Sequence, residues 1–237
     1  GFSALGSAGF TLVPLLTTAL GIVGVVWFFI RQTRLPRPML RVDVLKNRRF
    51  LVGTIIGMLV QGALLAAGIL MPIYVQSLHG LSATVSGLVL MPGAILMGIM
   101  NPLAGLFDKH GPRVLSLIGT SALTLSTLAF AFLGDSTGLI YLTILYTVRM
   151  FSMSLVNMPI TTWGMNALDN KVMNHGTYVN NTLRQVAGSL GTAIIIAVST
   201  QVQNIASPGL GATEGTMLGI NAAFLVCTVL CLVGLVM

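Results

Sequence analysis

The stretch LIYLTILYTVRMFSMSLVNMPITTWGMN, residues Leu139–Asn166, decides the fold of this chain. It stays largely apolar for longer than the ~20 residues that a helix needs to cross a bilayer. Its one charged residue, Arg149, lies well inside the stretch. A charge at the centre of a bilayer costs at least ~2.5 kcal/mol on insertion scales, so it usually lines a cavity or pathway. The stretch therefore predicts a membrane-spanning helix in a protein with a polar interior route.

The composition of the whole chain agrees with a membrane protein. Of its 237 residues, 55% are hydrophobic and only 7% are charged, whereas soluble domains carry roughly 25% charged residues. The mean hydropathy is +0.94. The net charge of +7 does not indicate nucleic-acid binding, because the basic residues flank apolar segments and no aromatic platform is interleaved with them.

Seven segments are long and apolar enough to span a bilayer, which predicts an all-α, polytopic membrane protein with seven transmembrane helices. The predicted spans are approximately Gly9–Ile30, Phe50–Val75, Val85–Phe107, Val114–Leu133, Leu139–Asn166, Thr177–Val202 and Met217–Met237. The linker after the first span contains Pro36 and Pro38, which resist helix formation. We therefore divide the chain into 1–49, one helix plus a basic linker, and 50–237, a six-helix bundle.

The lysines and arginines indicate an orientation. The eleven lysines and arginines other than Arg149 all fall in alternate loops or close to them, and the intervening loops hold no lysine or arginine. By the positive-inside rule the basic loops are cytoplasmic, so the amino terminus is predicted outside and the carboxyl terminus in the cytoplasm of a multi-pass cell-membrane protein. The chain begins at Gly1 and ends inside an apolar run, and we interpret both ends as fragment edges.

All five carboxylates lie in loops or at the ends of spans. A proton antiporter needs a titratable group inside the membrane, so any coupling carboxylate is predicted to come from residues outside this chain. The two cysteines, Cys227 and Cys231, stand four residues apart without zinc or redox spacing. No cofactor and no metal site is predicted.

Residues Gly105–Arg113, with the sequence GLFDKHGPR, form a tight loop between the third and fourth spans. Gly111 permits a turn with positive φ, and Asp108 can face the amino end of the next helix, where the helix dipole favours an anion. The basic Lys109 and Arg113 hold the loop in the cytoplasm. An ordinary capped turn remains the alternative to a functional loop.

This loop resembles the G-x-x-x-D-x-x-G-x-R loop of the major facilitator superfamily. The segment Tyr146–Ser154 resembles the arginine-containing fourth helix of each six-helix half in that superfamily, and Asn181–Gly191 is similar to the glycine-rich penultimate helix of drug exporters with fourteen spans. Leu90–Ala94 and Met158-Pro159 also look like multidrug exporters of the lincomycin-resistance type. The resemblance implies a half-transporter, with a gating loop formed by Gly105, Asp108, Gly111 and Arg113, and with the amino-terminal half absent.

Polar and methionine side chains within the spans are candidates for a substrate pathway, because polar groups in a helix bundle must find partners or water, and methionine repacks around varied ligands. The predicted pathway residues are Gln61, Tyr74, Met91, Arg149, Met153 and Asn157. Arg149, Met153 and Asn157 are spaced i, i+4, i+8 and share one helix face, which drifts by about 40° per step. We expect this stripe to line a central cavity. The alternative is that Arg149 binds backbone carbonyls, or an acid of the missing half, and locks helices together.

A second set of residues is predicted to serve helix packing and motion. Pro92 and Gly93 form the candidate hinge for alternating access. Gly188 and Gly191 allow a neighbouring backbone to approach closely, and Arg184, about two turns into its span, can snorkel toward the cytoplasm.

The predicted function is export of hydrophobic or cationic drugs by proton antiport, with partners that include a small-molecule substrate, protons, the lipid bilayer and the missing half, but no nucleic acid. Drug export follows from the resemblance, and uptake of a small solute is the alternative. An enzyme is not expected, since no H-E-x-x-H, no G-x-S-x-G and no paired aspartates at membrane depth are present. A non-transport scaffold is a further, weaker alternative.

Overall fold

The structure is a computed structural model. It describes residues 42–106, 112–134, 137–170 and 172–237 continuously, and six helical positions between 21 and 31. At 42, 105, 106, 112, 113 and 210 it describes the backbone alone. The first predicted span, Gly9–Ile30, therefore lies mostly outside the described residues, and neither the count of seven spans nor the domain boundary at 49/50 is tested.

From residue 42 onward, the described residues form six α-helices and a short 3₁₀ helix, Val42–Lys46, with no strand among them. The helices are α1 Arg48–Ser77, α2 Ala83–Leu106, α3 Pro112–Phe130, α4 Leu139–Met165, α5 Met173–Leu210 and α6 Ala212–Val236. Five of them are long and apolar enough to cross a membrane, and α3 is a shorter apolar helix. The all-α membrane fold predicted from the sequence is confirmed, and each of the last six predicted spans corresponds to one helix.

The largest difference in length concerns α5. The sequence predicted a span over Thr177–Val202, but the helix continues from Met173 to Leu210, 38 residues or about 57 Å. Hydropathy detects only the portion that suits lipid, whereas helix geometry continues into the polar run that begins at Gln201. α5 is thus much longer than the ~30 Å hydrocarbon core.

The helices pack around α1. This helix contacts α4, α5 and α6 along its length, while α2 packs on α4, and α3 packs on both α4 and α6. α1 and α4 each bury many residues, whereas α2 and α5 remain mostly exposed. The phenyl rings of Phe130 and Phe224 stack with their centroids 5.0 Å apart, which joins α3 to α6.

Glycines bring α1 and α5 close together. A Cβ atom added at Gly191 would lie 3.1 Å from the Cα of Gly62, so the two backbones meet with no side chain between them. One turn away, a Cβ at Gly188 would lie 2.8 Å from Leu65 Cδ1. This close approach positions side chains of α5 directly over α1.

The amino end of α1 is fixed by Asn47. Its side-chain oxygen accepts hydrogen bonds from the backbone N–H groups of Arg49 and Phe50, as expected for an N-cap. Its amide nitrogen donates to the carbonyl of Ala167 at 2.7 Å. The start of α1 is thereby tied to the connection between α4 and α5.

Candidate functional site

A cluster of four polar side chains lies where α1, α4 and α5 meet. The guanidinium of Arg184 donates from Nη2 to Oδ1 of Asn157 at 2.5 Å and to Oε1 of Gln61 at 3.4 Å. It also donates from Nη1 to Oγ1 of Thr161 at 3.2 Å. All four side chains are half-buried. Three helices therefore converge on one cation.

Three residues of the cluster, Gln61, Asn157 and Arg184, line an open recess of about 640 Å³. The recess is lined by six polar residues, Gln61, Asn157, Asn181, Thr182, Arg184 and Gln185. Arg184 carries the only charge among them. An open polar surface on helices that otherwise suit lipid needs contact with water, a ligand or another protein surface.

Small residues make room for this cluster. A Cβ added at Gly57 would lie 3.2 Å from Cδ and 3.3 Å from Nε of Arg184, and one at Gly188 would lie 3.1 Å from Cγ of Gln61. The missing side chain at Gly57 thus lets the arginine lie across α1. In the sequence Arg184 was predicted to snorkel or to serve packing, and its convergence with Gln61 and Asn157 was missed. Gly57 is visible in the sequence as a small residue that could make room for a long side chain. That this side chain is Arg184 depends on how α1 and α5 are aligned.

Arg149 lies in a different environment. Its side chain extends from α4, is 0% exposed, and bonds to residues of α1 and α3. Nη2 donates to the carbonyl of Ala63 at 2.8 Å and Nε to Oγ1 of Thr127 at 3.3 Å, while the buried Nη1 has no hydrogen-bond partner among the described residues. This geometry corresponds to the helix-locking alternative, with a backbone carbonyl as one acceptor.

The structure corrects the expectation that Arg149, Met153 and Asn157 share one cavity-lining face. Met153 is 1% exposed and belongs to the hydrophobic core, as Arg149 belongs to the interior, and only Asn157 reaches the recess. Two steps of i+4 turn the face by about 80°, which is enough to carry a side chain from the core of the lobe to its surface.

Two other predicted pathway residues lie away from the recess. Tyr74 is 0% exposed, donates its hydroxyl to the carbonyl of Gly134 at 2.8 Å and lies edge-on to His79, with ring centroids 5.5 Å apart. Met91 is 49% exposed on α2 and does not line the recess. Tyr74 therefore fastens α1 to the α3–α4 connection.

The predicted hinge lies inside a continuous helix. Pro92 and Gly93 both belong to α2, and a Cβ at Gly93 would lie 2.8 Å from Cδ1 of Tyr146 and 3.2 Å from Cγ of Met150. Gly93 thus gives α2 close contact with α4, and its hinge role stays a prediction.

The gating loop is only partly described. Gly105 lies in the last turn of α2 and Arg113 in the first turn of α3, whereas Asp108 and Gly111 lie outside the described residues. Within the described ranges, no group of three or more His, Cys, Asp or Glu residues is arranged to hold a metal ion.

Comparison with known proteins identifies the family. A sequence profile of the Major Facilitator Superfamily matches residues 2–192, most of the chain. The chain belongs to the Major Facilitator Superfamily. Its membership and its helices together make it a multi-pass membrane protein of a transporter family and not of an enzyme family.

Several Bacillus subtilis (strain 168) members of the superfamily are similar to it. The chain is 38% identical to the uncharacterized MFS-type transporter YcnB over 99% of its own length and 50% of that protein. It is 41% identical to the MFS-type transporter YhcA over 84% of the chain and 38% of that protein, and 32% identical to the lincomycin resistance protein LmrB over 98% and 50%. The chain thus spans about half the length of the curated relatives it matches, or less.

Within this superfamily, the predicted likeness to exporters of the lincomycin-resistance type is confirmed. The described helices form one lobe in which the polar recess opens on α1, α4 and α5.

Proposed function

We propose that this chain is the carboxyl-terminal half of a major facilitator exporter, and that it moves hydrophobic or cationic compounds out of the cell by proton antiport and alternating access. In this proposal the amino terminus of the chain lies outside and its carboxyl terminus in the cytoplasm. The region 50–237 forms one six-helix half, and the region 1–49 provides a preceding helix and a basic linker. An amino-terminal half then covers the recess.

The observation that carries the proposal is the open polar recess around Arg184. Its lining residues come from three helices, and its cation is joined to Gln61 and Asn157. A purely structural cluster would be covered by its own helices, as Arg149 is. A surface of this kind is suited to the boundary between two halves, where a substrate passes.

Drug export is supported by the relatives, since two lincomycin resistance proteins of Listeria and one of Bacillus subtilis align with nearly the whole chain. Proton coupling is related to the positions of the carboxylates. The sequence predicts all the carboxylates of the chain in loops or at the ends of spans, so in this proposal the acid that binds and releases the proton belongs to the other half. Protons and that half are therefore partners in this proposal.

The proposal is tested with the full-length protein in inside-out membrane vesicles. We expect ethidium to accumulate in the vesicles when a proton gradient is imposed, and we expect an uncoupler to abolish that accumulation. Asn157→Ala should reduce the initial rate several-fold, whereas the exposed Ser189→Ala, on the same helix as Arg184, should not.

Accumulation that continues after the gradient has collapsed would exclude proton antiport. Concentration of a solute inside intact cells, with no accumulation in inside-out vesicles, would replace export by the uptake alternative.

A further inference from the structure

The recess around Arg184 is rich in hydrogen-bond donors. A guanidinium has five N–H groups, and three of them are used on Asn157, Gln61 and Thr161. Two N–H groups remain. Because the amide oxygens of Gln61 and Asn157 turn toward the guanidinium, the NH₂ group of each amide points away from it. These donors all belong to residues that line the recess.

The charge of the recess is not balanced by its own helices. The three acceptors of Arg184 are neutral, and no carboxylate is among the residues that line the recess. A half-buried cation loses part of its hydration, and neutral oxygens return only part of that free energy. An anion with two acceptor oxygens would complete the arrangement, since hydrogen bonds between a guanidinium and a carboxylate are charge-assisted.

Arg149 supplies an internal contrast. It also has neutral acceptors in the described structure and an unpaired Nη1, but it is fully enclosed and does not line the recess around Arg184. Of these two arginines, only Arg184 combines unused donors with an opening. The difference in access makes Arg184 the candidate ligand-binding arginine.

We infer that the recess formed by Gln61, Asn157 and Arg184 is a carboxylate-binding site, with Arg184 as its cationic ligand. The inference rests on the proposed function, because it names the chemistry that this half of the exporter recognises. The carboxylate has two possible sources, the transported compound or an acidic side chain of the other half. In either case a cationic compound finds no counter-charge in this recess, and its acid must lie in the other half.

The test uses the purified full-length protein and a matched pair of dyes. Rhodamine 110 carries a free carboxylate, and rhodamine 123 is its methyl ester. Binding of each dye is measured by fluorescence polarisation for the unmodified protein and for Arg184→Gln, Arg184→Lys and the control Ser189→Ala. We expect Arg184→Gln to weaken rhodamine 110 binding about 10-fold, as for the loss of one charge-assisted hydrogen bond, and rhodamine 123 binding less than twofold. Arg184→Lys should fall between.

The result identifies the source of the carboxylate. Selective loss of rhodamine 110 binding assigns the carboxylate to the transported compound. Equal loss of both dyes, restored when one acid of the other half is changed to its amide, assigns it to the transporter. Rhodamine 110 binding that is absent or unaffected in Arg184→Gln, or an equal loss that no such second change restores, overturns the inference.

Failure of the proposed function gives a different result. Should rhodamine 110 bind in an Arg184-dependent way while vesicles export neither dye, the carboxylate site stands and export does not. Should vesicles export rhodamine 123 while Arg184→Gln alters neither dye, export stands and the site does not.

Discussion

Arg149 and Arg184 both lie well inside helices of this lobe, and they look alike in the sequence but differ in the structure. Arg149 is an isolated cation in the apolar α4, and Arg184 lies about three turns into α5. The first is completely enclosed and donates to the backbone of α1, while the second lies at an open recess and gathers side-chain amides from two other helices. A charged residue at membrane depth therefore does not by itself indicate a pathway, because access decides its role.

The two arginines also differ in the groups that hold them. Arg149 binds a carbonyl oxygen and a hydroxyl in the interior of the lobe, where its aliphatic stem packs as part of the core. Arg184 is held by three side chains that a ligand can compete with or extend. We accordingly expect changes at Arg149 to act on folding and changes at Arg184 to act on transport.

The largest effect is expected for Arg149→Ala. Truncation of this enclosed side chain leaves a cavity among α1, α3 and α4, and the loss of folding free energy should be about 2–5 kcal/mol, as for other large-to-small core changes. Thermal unfolding of the purified full-length protein measures it. Arg149→Met is the matched control: it retains much of the volume without the charge and should lose clearly less. Unchanged unfolding of Arg149→Ala together with abolished transport would give Arg149 a pathway role after all.

The second prediction concerns Arg184→Gln. The substitution removes the charge from an open recess and leaves the packing of α1 against α5 intact, so the initial rate of rhodamine 110 transport should fall about 10-fold while the free energy of unfolding changes by less than about 1 kcal/mol. Vesicle transport and thermal unfolding are measured on the same preparation. A large loss of stability with no selective loss of transport would make the two arginines equivalent.

A smaller effect is expected for Gly57→Ala. Its Cβ would press on Cδ and Nε of Arg184, at 3.2 and 3.3 Å, and move the guanidinium away from Asn157. The initial transport rate should fall about two- to fivefold, which corresponds to a free-energy change of up to about 1 kcal/mol. The control is Gly68→Ala in the same helix, where an added Cβ meets nothing within 4 Å. An equal effect of both changes would mean that helix propensity, and not the position of Arg184, is responsible.

The smallest effect is expected for Tyr74→Phe. The change removes the hydrogen bond from the hydroxyl to the carbonyl of Gly134, which should reduce the free energy of unfolding by about 0.5–1.5 kcal/mol. Transport should stay within twofold of the unmodified protein, because Tyr74 lies away from the recess. Loss of transport at normal stability would return Tyr74 to the substrate pathway predicted from the sequence.

The sequence predicted the individual helices well because a bilayer imposes a strong rule. A helix that crosses hydrocarbon must be apolar over ~20 residues, and that requirement can be checked one segment at a time. The boundaries of α4, predicted at Leu139 and Asn166, differ from the structure by a single residue. α5 deviated because a helix can continue beyond its apolar segment, where hydropathy gives no signal.

The candidate site was less predictable. Gln61, Asn157 and Arg184 are separated by up to 123 positions along the chain, and no local period connects them. They lie together because glycines bring α1 close to α5. They also depend on the orientation of α4, in which Asn157 faces the recess and Arg149 faces the interior. The sequence spacing correctly placed Arg149, Met153 and Asn157 on one helix. Because two i+4 steps turn the helix face by about 80°, the three side chains lie in different surroundings.

The sequence alone thus determined that the chain is helical, that it lies in a membrane and that it resembles the major facilitator superfamily, since each of these follows from local composition and short motifs. Only the tertiary structure decided which of the two arginines is enclosed and which is open. The physical reason is that enclosure depends on the neighbours that helix packing brings from distant parts of the chain, and no single helix carries that information.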